Sequence, residues 1–148
     1  MSVNIYARVK PSEEQLKKYQ DRMSAAIMTG RPSAVKSVYE DYAKDFGDVH
    51  IGNSAKGWQF CFKVNENKYA CNHRSLDLFL HRVDVIIFDE YGKEMTPEEF
   101  WKNHGNSKGD NFKTYYENHP EHVSPFRGYD LDDFINVEGM WWCNKEFY

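Results

Sequence analysis

Between His50 and Phe62 the chain reads HIGNSAKGWQFCF, and no other stretch limits its fold as much. From Trp58 onward it alternates, with Trp58, Phe60 and Phe62 on one face and Gln59, Cys61 and Lys63 on the other, the period of a half-buried strand. Before Trp58 come two glycines, an asparagine, a serine and a lysine, which read as a loop. Glycines let successive backbone N–H groups turn toward one point, and such concavities hold anions. The stretch is therefore expected to form a pocket for an anionic small ligand. Its candidate contacts are His50, Gly52, Asn53, Ser54, Lys56, Gly57 and Trp58, with Arg74 and Tyr91 as further candidates for the rim. Trp58 is available for stacking. The plainer reading is a polar hairpin between two strands, with Trp58 in the core.

Around this stretch the signals alternate between strand and helix. Val3, Ile5 and Ala7 alternate with Asn4, Tyr6 and Arg8, which predicts a short strand. Ser12 and Gln15 form a reciprocal capping pair that opens a helix, and Leu16, Tyr19, Met23, Ala26 and Ile27 make its apolar stripe. Gly30 ends it, and Pro32-Ser33 opens a second helix, capped by Ser33, whose stripe is Val35, Val38, Tyr39, Tyr42 and Phe46. The two form a helical hairpin. Asp48–Ile51 is expected as a strand into the loop and Trp58–Val64 as the strand leaving it. Ser75 is expected to cap a helix through Val83, with Leu76, Phe79, Leu80 and Val83 inward, and Val85–Phe88 reads as a buried strand. Asp89-Glu90-Tyr91-Gly92 turns the chain, and Thr96 caps a helix with Pro97 in its first position and Glu99 reaching back. From Gly105 the texture is polar and loop-like, and Phe134–Cys143 reads as an interrupted hairpin or a strand with a glycine bulge.

The expected architecture is a single α+β domain spanning 1–148, a small antiparallel or mixed sheet with the N-terminal helical hairpin packed on one face. Within it, 1–47 is a strand plus the hairpin, 48–104 the motif-bearing core and 105–148 a loop-rich C-terminal part.

The motif also carries a resemblance. HIGNSAKGWQF resembles the HIGKSSAGW-type signature of a family of small, largely uncharacterised proteins found mostly in bacteriophages and bacteria. Members tend to carry a D-E-Y-G turn followed by a short S/T-P-E-E helix, matched here by Asp89-Glu90-Tyr91-Gly92 and Thr96-Pro97-Glu98-Glu99. Many relatives have a Cys-x-x-Cys pair before the histidine, suggestive of zinc. This chain lacks that pair, so no structural zinc is expected. The resemblance brings no established activity; its phage setting implies a role against host defence, such as sequestering a nucleotide signal.

Charge and cysteines narrow the partners. A formal net charge of −4 excludes a protein that wraps duplex nucleic acid, which wants a basic face. Lys56, Lys63, Lys68 and Arg74 leave room for a local basic pocket. Cys61, Cys71 and Cys143 have no short paired spacing, so a reducing cytoplasm, the host's if the chain is phage-encoded, is the expected location. No run approaches the length of a membrane span. His119 and His122, with His104, Asp110 and Cys71-Asn72-His73, are a thin set for a metal, and no cofactor is expected.

A Ser54–His50 pair oriented by Asp89 or Glu90 is the catalytic alternative, a small nucleotide hydrolase, although no nucleophile elbow is present. Trp141-Trp142 and Phe147-Tyr148 are the alternative as an exposed aromatic anchor on a host protein. The leading expectation is a non-enzymatic binder of an anionic small molecule such as a nucleotide.

Overall fold

In the computed structural model, residues 3–54, 60–105, 134–137 and 139–144 are described. They form β1 (Val3–Val9), α1 (Glu13–Met28), α2 (Pro32–Phe46), β2 (Val49–Ser54), β3 (Cys61–Lys63), α3 (His73–Leu80), β4 (Val85–Asp89), β5 (Glu94–Met95), α4 (Pro97–Phe100), a wide helical turn at Trp101–Gly105, β6 (Phe134–Val137) and β7 (Met140–Cys143). The strands make one seven-stranded sheet in the order β5-β4-β1-β2-β3-β7-β6. Only β3 and β7 pair in parallel, so the sheet is mixed and the fold α+β, as expected. The motif strand β2 is its middle strand.

The alternation in β1 sets the two faces. Ile5, Ala7 and Val9 are buried in a core shared with Val49, Ile51, Phe60, Phe62, Ile87 and Trp142. The helices close that face: Tyr19, Tyr42 and Phe46 come from α1 and α2, Leu76, Phe79 and Leu80 from α3, and Phe100 from α4. Asn4, Tyr6 and Arg8 point the other way, away from these helices, and stay half-buried or exposed.

Local chemistry explains most of the element ends. Ser12 accepts from Gln15 N while Gln15 Oε1 takes the Ser12 N–H, and Thr96 and Glu99 repeat the exchange at α4. Asp89 Oδ1 accepts from Tyr91 N and Lys93 N, and Gly92 takes a φ of 84°, so the acidic turn closes the β4–β5 hairpin. Gly139, at φ 85°, closes the β6–β7 hairpin.

Several expectations need correction. Ser33 does not cap α2: Pro32 is the first helical residue and Arg31 precedes it without a side-chain bond. Ser75 does not cap α3 either. Asn72 accepts from Ser75 N, while Ser75 Oγ accepts from Ala70 N. That helix stops at Leu80, and Val83 is fully exposed rather than inward. Strand β2 runs through Gly52 and Asn53, which sequence placed in a loop. Strand β3 is Cys61–Lys63 and is buried on both faces, not half-buried, because β2 and β7 flank it.

Candidate functional site

His50 and Asn53 are three residues apart on one strand, so a regular pleat would send them to opposite faces. A bulge prevents this. Ile5 pairs with Gly52 but Tyr6 pairs with His50, so Ile51 is an extra residue on β2. Ile51 and Gly52 therefore both turn inward, and His50 and Asn53 both turn away from the core. Gly52 is required by packing as well: a Cβ there would stand 2.3 Å from both the Cys61 carbonyl oxygen and the Phe60 ring.

The two side chains meet at Asn4. Asn53 Nδ2 donates to Asn4 Oδ1 at 2.9 Å, and His50 Nε2 lies 3.0 Å from the same oxygen. An amide oxygen only accepts, so Nε2 carries the proton and, in a neutral ring, Nδ1 carries the lone pair. Asn53 is buried at 2 % exposure, while Asn4 and His50 are half-buried. The Asn4 backbone is pinned in turn, its N–H donating to Glu90 Oε1 at 3.2 Å and its carbonyl accepting from Glu90 N.

Beside this polar cluster runs an aromatic ladder. Tyr6 stacks on His50 with ring centres 5.0 Å apart and on Phe88 at 5.9 Å. These separations exceed a ~3.5–4.0 Å contact distance, so the rings are offset rather than eclipsed. The Arg8 guanidinium sits 5.5 Å over Phe88 and 3.8 Å from Asp48, a loose and half-exposed ion pair.

Of the residues singled out in the sequence, His50 and Asn53 are brought together. Gly52 pairs with Ile5 next to the bulge and admits the close approach of the Cys61 carbonyl and the Phe60 ring. Ser54 ends β2 opposite Val3. Lys56, Gly57 and Trp58 lie outside the described residues, as do His119, His122, Asp110, Phe147 and Tyr148. Tyr91 is exposed beside Glu90, at the Asn4 end of the sheet. Arg74 is on α3, in the helical layer behind the sheet, and is not part of the cluster. The expected basic pocket is not assembled from its other lysines: Lys63 Nζ donates to Asn144 O at 3.0 Å and Lys68 Nζ to Asp45 O at 3.1 Å.

The alternatives fare differently. Asp89 Oδ1 and Glu90 Oε1 accept from backbone N–H groups, and it is the Asn4 amide that holds His50 Nε2. Cys61 is fully buried, and desolvation pushes its thiol well above the usual range, away from the thiolate a nucleophile needs. Trp142 is no surface anchor: it is completely buried against Phe62, and among the described residues its indole N–H has no hydrogen-bond partner. Trp141 is half-buried. Cys71-Asn72-His73 leads into α3, with Asn72 as its cap and His73 its first residue, against Trp101 at 4.3 Å. Among the described residues no group of three metal-ligating side chains converges, and no helix is long and apolar enough to cross a membrane.

Asn4, Tyr6, Arg8 and Phe88 were missed as site residues in the sequence. The signal for them in sequence is the polar phase of β1, Asn4, Tyr6 and Arg8, which alternates with the apolar phase that marks the strand. Comparison of the chain with protein-family models, curated proteins and solved structures finds no match.

Proposed function

We propose that the chain is a non-enzymatic binder of a small anionic molecule with a planar ring, a nucleotide being the class that fits. Its seat would be the sheet face around Asn4, Tyr6, His50 and Asn53. The observation that carries this reading is the convergence of His50 and Asn53 on Asn4 beside an offset aromatic ladder. Amide edges hydrogen-bond base edges, and bases gain about 1–3 kcal/mol from stacking on an aromatic ring. Arg8 supplies a charge for a phosphate, which would displace the loosely held Asp48 with a shorter, bidentate contact. Lys56, just beyond the end of β2, would add a second charge. On this reading, sequestering a nucleotide signal is how the chain would act against a host defence, the role its motif resemblance implies.

A thermal-shift panel of nucleoside mono-, di- and cyclic phosphates, followed by titration calorimetry, tests it. The expected result is a nucleotide-dependent rise in melting temperature, with no turnover detected by mass spectrometry. Lys56→Ala is expected to weaken binding roughly tenfold to a hundredfold, the equivalent of about 1.5–3 kcal/mol, without lowering the melting temperature. Unchanged affinity would remove Lys56 from the site, and conversion of the nucleotide would favour the hydrolase.

A further inference from the structure

We propose that Lys63 is the seat of a phosphate, held free or as the second phosphate of a nucleotide, on the sheet face away from the described helices. Asn53 and Lys63 are the polar or charged side chains buried among the described residues. Asn4 answers the Asn53 amide. Lys63, 9 % exposed, donates from Nζ to the Asn144 carbonyl at 3.0 Å and, weakly, to that of Val64 at 3.5 Å. Both partners are neutral, and an ammonium has a third N–H to give. Among the described residues no carboxylate lies within ion-pairing distance of it. A buried charge is costly unless an opposite charge pairs with it, so this ammonium calls for an anion.

The register sets Lys63 at the end of the aromatic ladder. Phe62 pairs with Gly52 and Trp142 and joins the core, so Cys61 and Lys63 turn to the opposite face, where Cys61 pairs with Asn53. Carried one residue further, the β2–β3 pairing brings Lys63 to the Ile51 bulge, beside His50 along β2. Phe88, Tyr6, His50 and Lys63 thus follow one another on four neighbouring strands. With strands about 4.8 Å apart, Lys63 stands about 10 Å from Tyr6, beyond His50. Arg8 is a separate position, two residues from Tyr6 along β1.

The seat is fixed, and the Cys61 thiol does not neutralise it. Tyr69 Oη donates to the Lys63 carbonyl at 2.8 Å and Val64 N to the Cys143 carbonyl at 3.0 Å, which fastens the backbone that carries the ammonium. Desolvation raises the Cys61 thiol well above the usual range and keeps it protonated, so it supplies no counter-charge. A lysine acts as a point charge, without the planar fork by which arginine grips a carboxylate, and that suits a phosphate. That a nucleotide brings the phosphate rests on the reading above: its ring would lie along Tyr6 and His50, with one phosphate at Arg8 and the other at Lys63. A free phosphate needs no such ring.

Titration calorimetry of inorganic phosphate, a nucleoside monophosphate and a nucleoside bisphosphate into the full-chain wild type and Lys63→Met, at fixed ionic strength, is the test. The expected result is saturable binding of phosphate or bisphosphate by the wild type, weakened at least tenfold in Lys63→Met. A bisphosphate that outbinds the monophosphate only while Lys63 is present assigns the phosphate to a nucleotide; inorganic phosphate held through Lys63, with no such gain, assigns it to the free anion. Phosphate held through Lys63 without any nucleotide binding removes the nucleotide reading and leaves the seat. Nucleotide binding with no ligand sensitive to Lys63→Met does the reverse and makes Lys63 only a tie between β3 and β7. A wild type that binds none of the three also overturns the proposal. If Lys63→Met does not fold, NMR of lysine-labelled wild type decides. Phosphate or bisphosphate is then expected to shift the Lys63 Nζ signal, identified by its loss in Lys63→Arg, and a signal that neither moves overturns the proposal.

Discussion

The Oδ1 atom of Asn4 is shared by two side chains of the neighbouring strand, and an Asn4→Leu protein would leave both without it. Asn53 is the more costly loss, because its amide is buried and an unpaired buried donor costs about 1–3 kcal/mol. Equilibrium urea denaturation is expected to show a loss of that size for Asn4→Leu; a change within error would mean that the cluster is held by other contacts. Gly52→Ala is expected to cost more than an exposed alanine replacement, about 1–3 kcal/mol, because its methyl meets the Cys61 carbonyl, which is backbone and cannot swing aside. The same assay reads it. The histidine, asparagine and glycine were recognisable in the sequence as belonging together, but their mechanism was not. The bulge is a mismatch between two strands, and no local pattern in one strand reveals it. Asn4 is 46 residues from His50, so its part in the site exists only once β1 and β2 pair.

Helix ends were readable where the cap lies within three residues of its target, as at Ser12 and Thr96, since both partners stand in one short window. The start of α3 is ambiguous in sequence because Asn72 and Ser75 are both capping types and only the fold decides between them. A contact between elements, hidden from any local window, ties that helix to α4. His81 sets Nδ1 against the Asp77 carbonyl at 2.9 Å and Nε2 against Glu98 Oε1 at 3.1 Å, while Trp101 Nε1 donates to Asp77 Oδ1 at 2.8 Å. Hydrogen bonding to Asp77 and Glu98 raises the His81 pKa above its ordinary 6.5, and the Glu98 pKa is lowered. The stabilisation from His81 is thus fully present below its unfolded pKa and is lost as pH rises through the folded value; that from Glu98 is lost as pH falls through its depressed value. The clasp is strongest in mildly acid solution. Melting curves of His81→Gln should differ from wild type most there and converge above neutral pH. A difference that is constant with pH would mean that the imidazolium contributes nothing.

For the whole molecule, the α+β class and the hairpin could be read from periodicity, because each element carries its own pattern. The order of the sheet could not. Beta3 lies between β2 and β7 although the hairpin bearing β7 comes near the chain's end, and nothing in residues 60–64 anticipates a parallel neighbour. That arrangement makes β2 the middle strand. It leaves the polar side of β1 and β2 facing away from every described helix. A ligand held there should depend on His50 and Arg8 and be indifferent to Arg74, which belongs to the opposite layer. Titration calorimetry of a nucleoside monophosphate into the wild type, His50→Ala, Arg8→Ala and Arg74→Ala proteins separates these positions. The expected result is saturable binding by the wild type and Arg74→Ala, weakened at least tenfold, or about 1.4 kcal/mol, in each of the other two. Equal affinity in all four proteins, or no heat of binding across the nucleotide panel, would contradict a nucleotide site on this face.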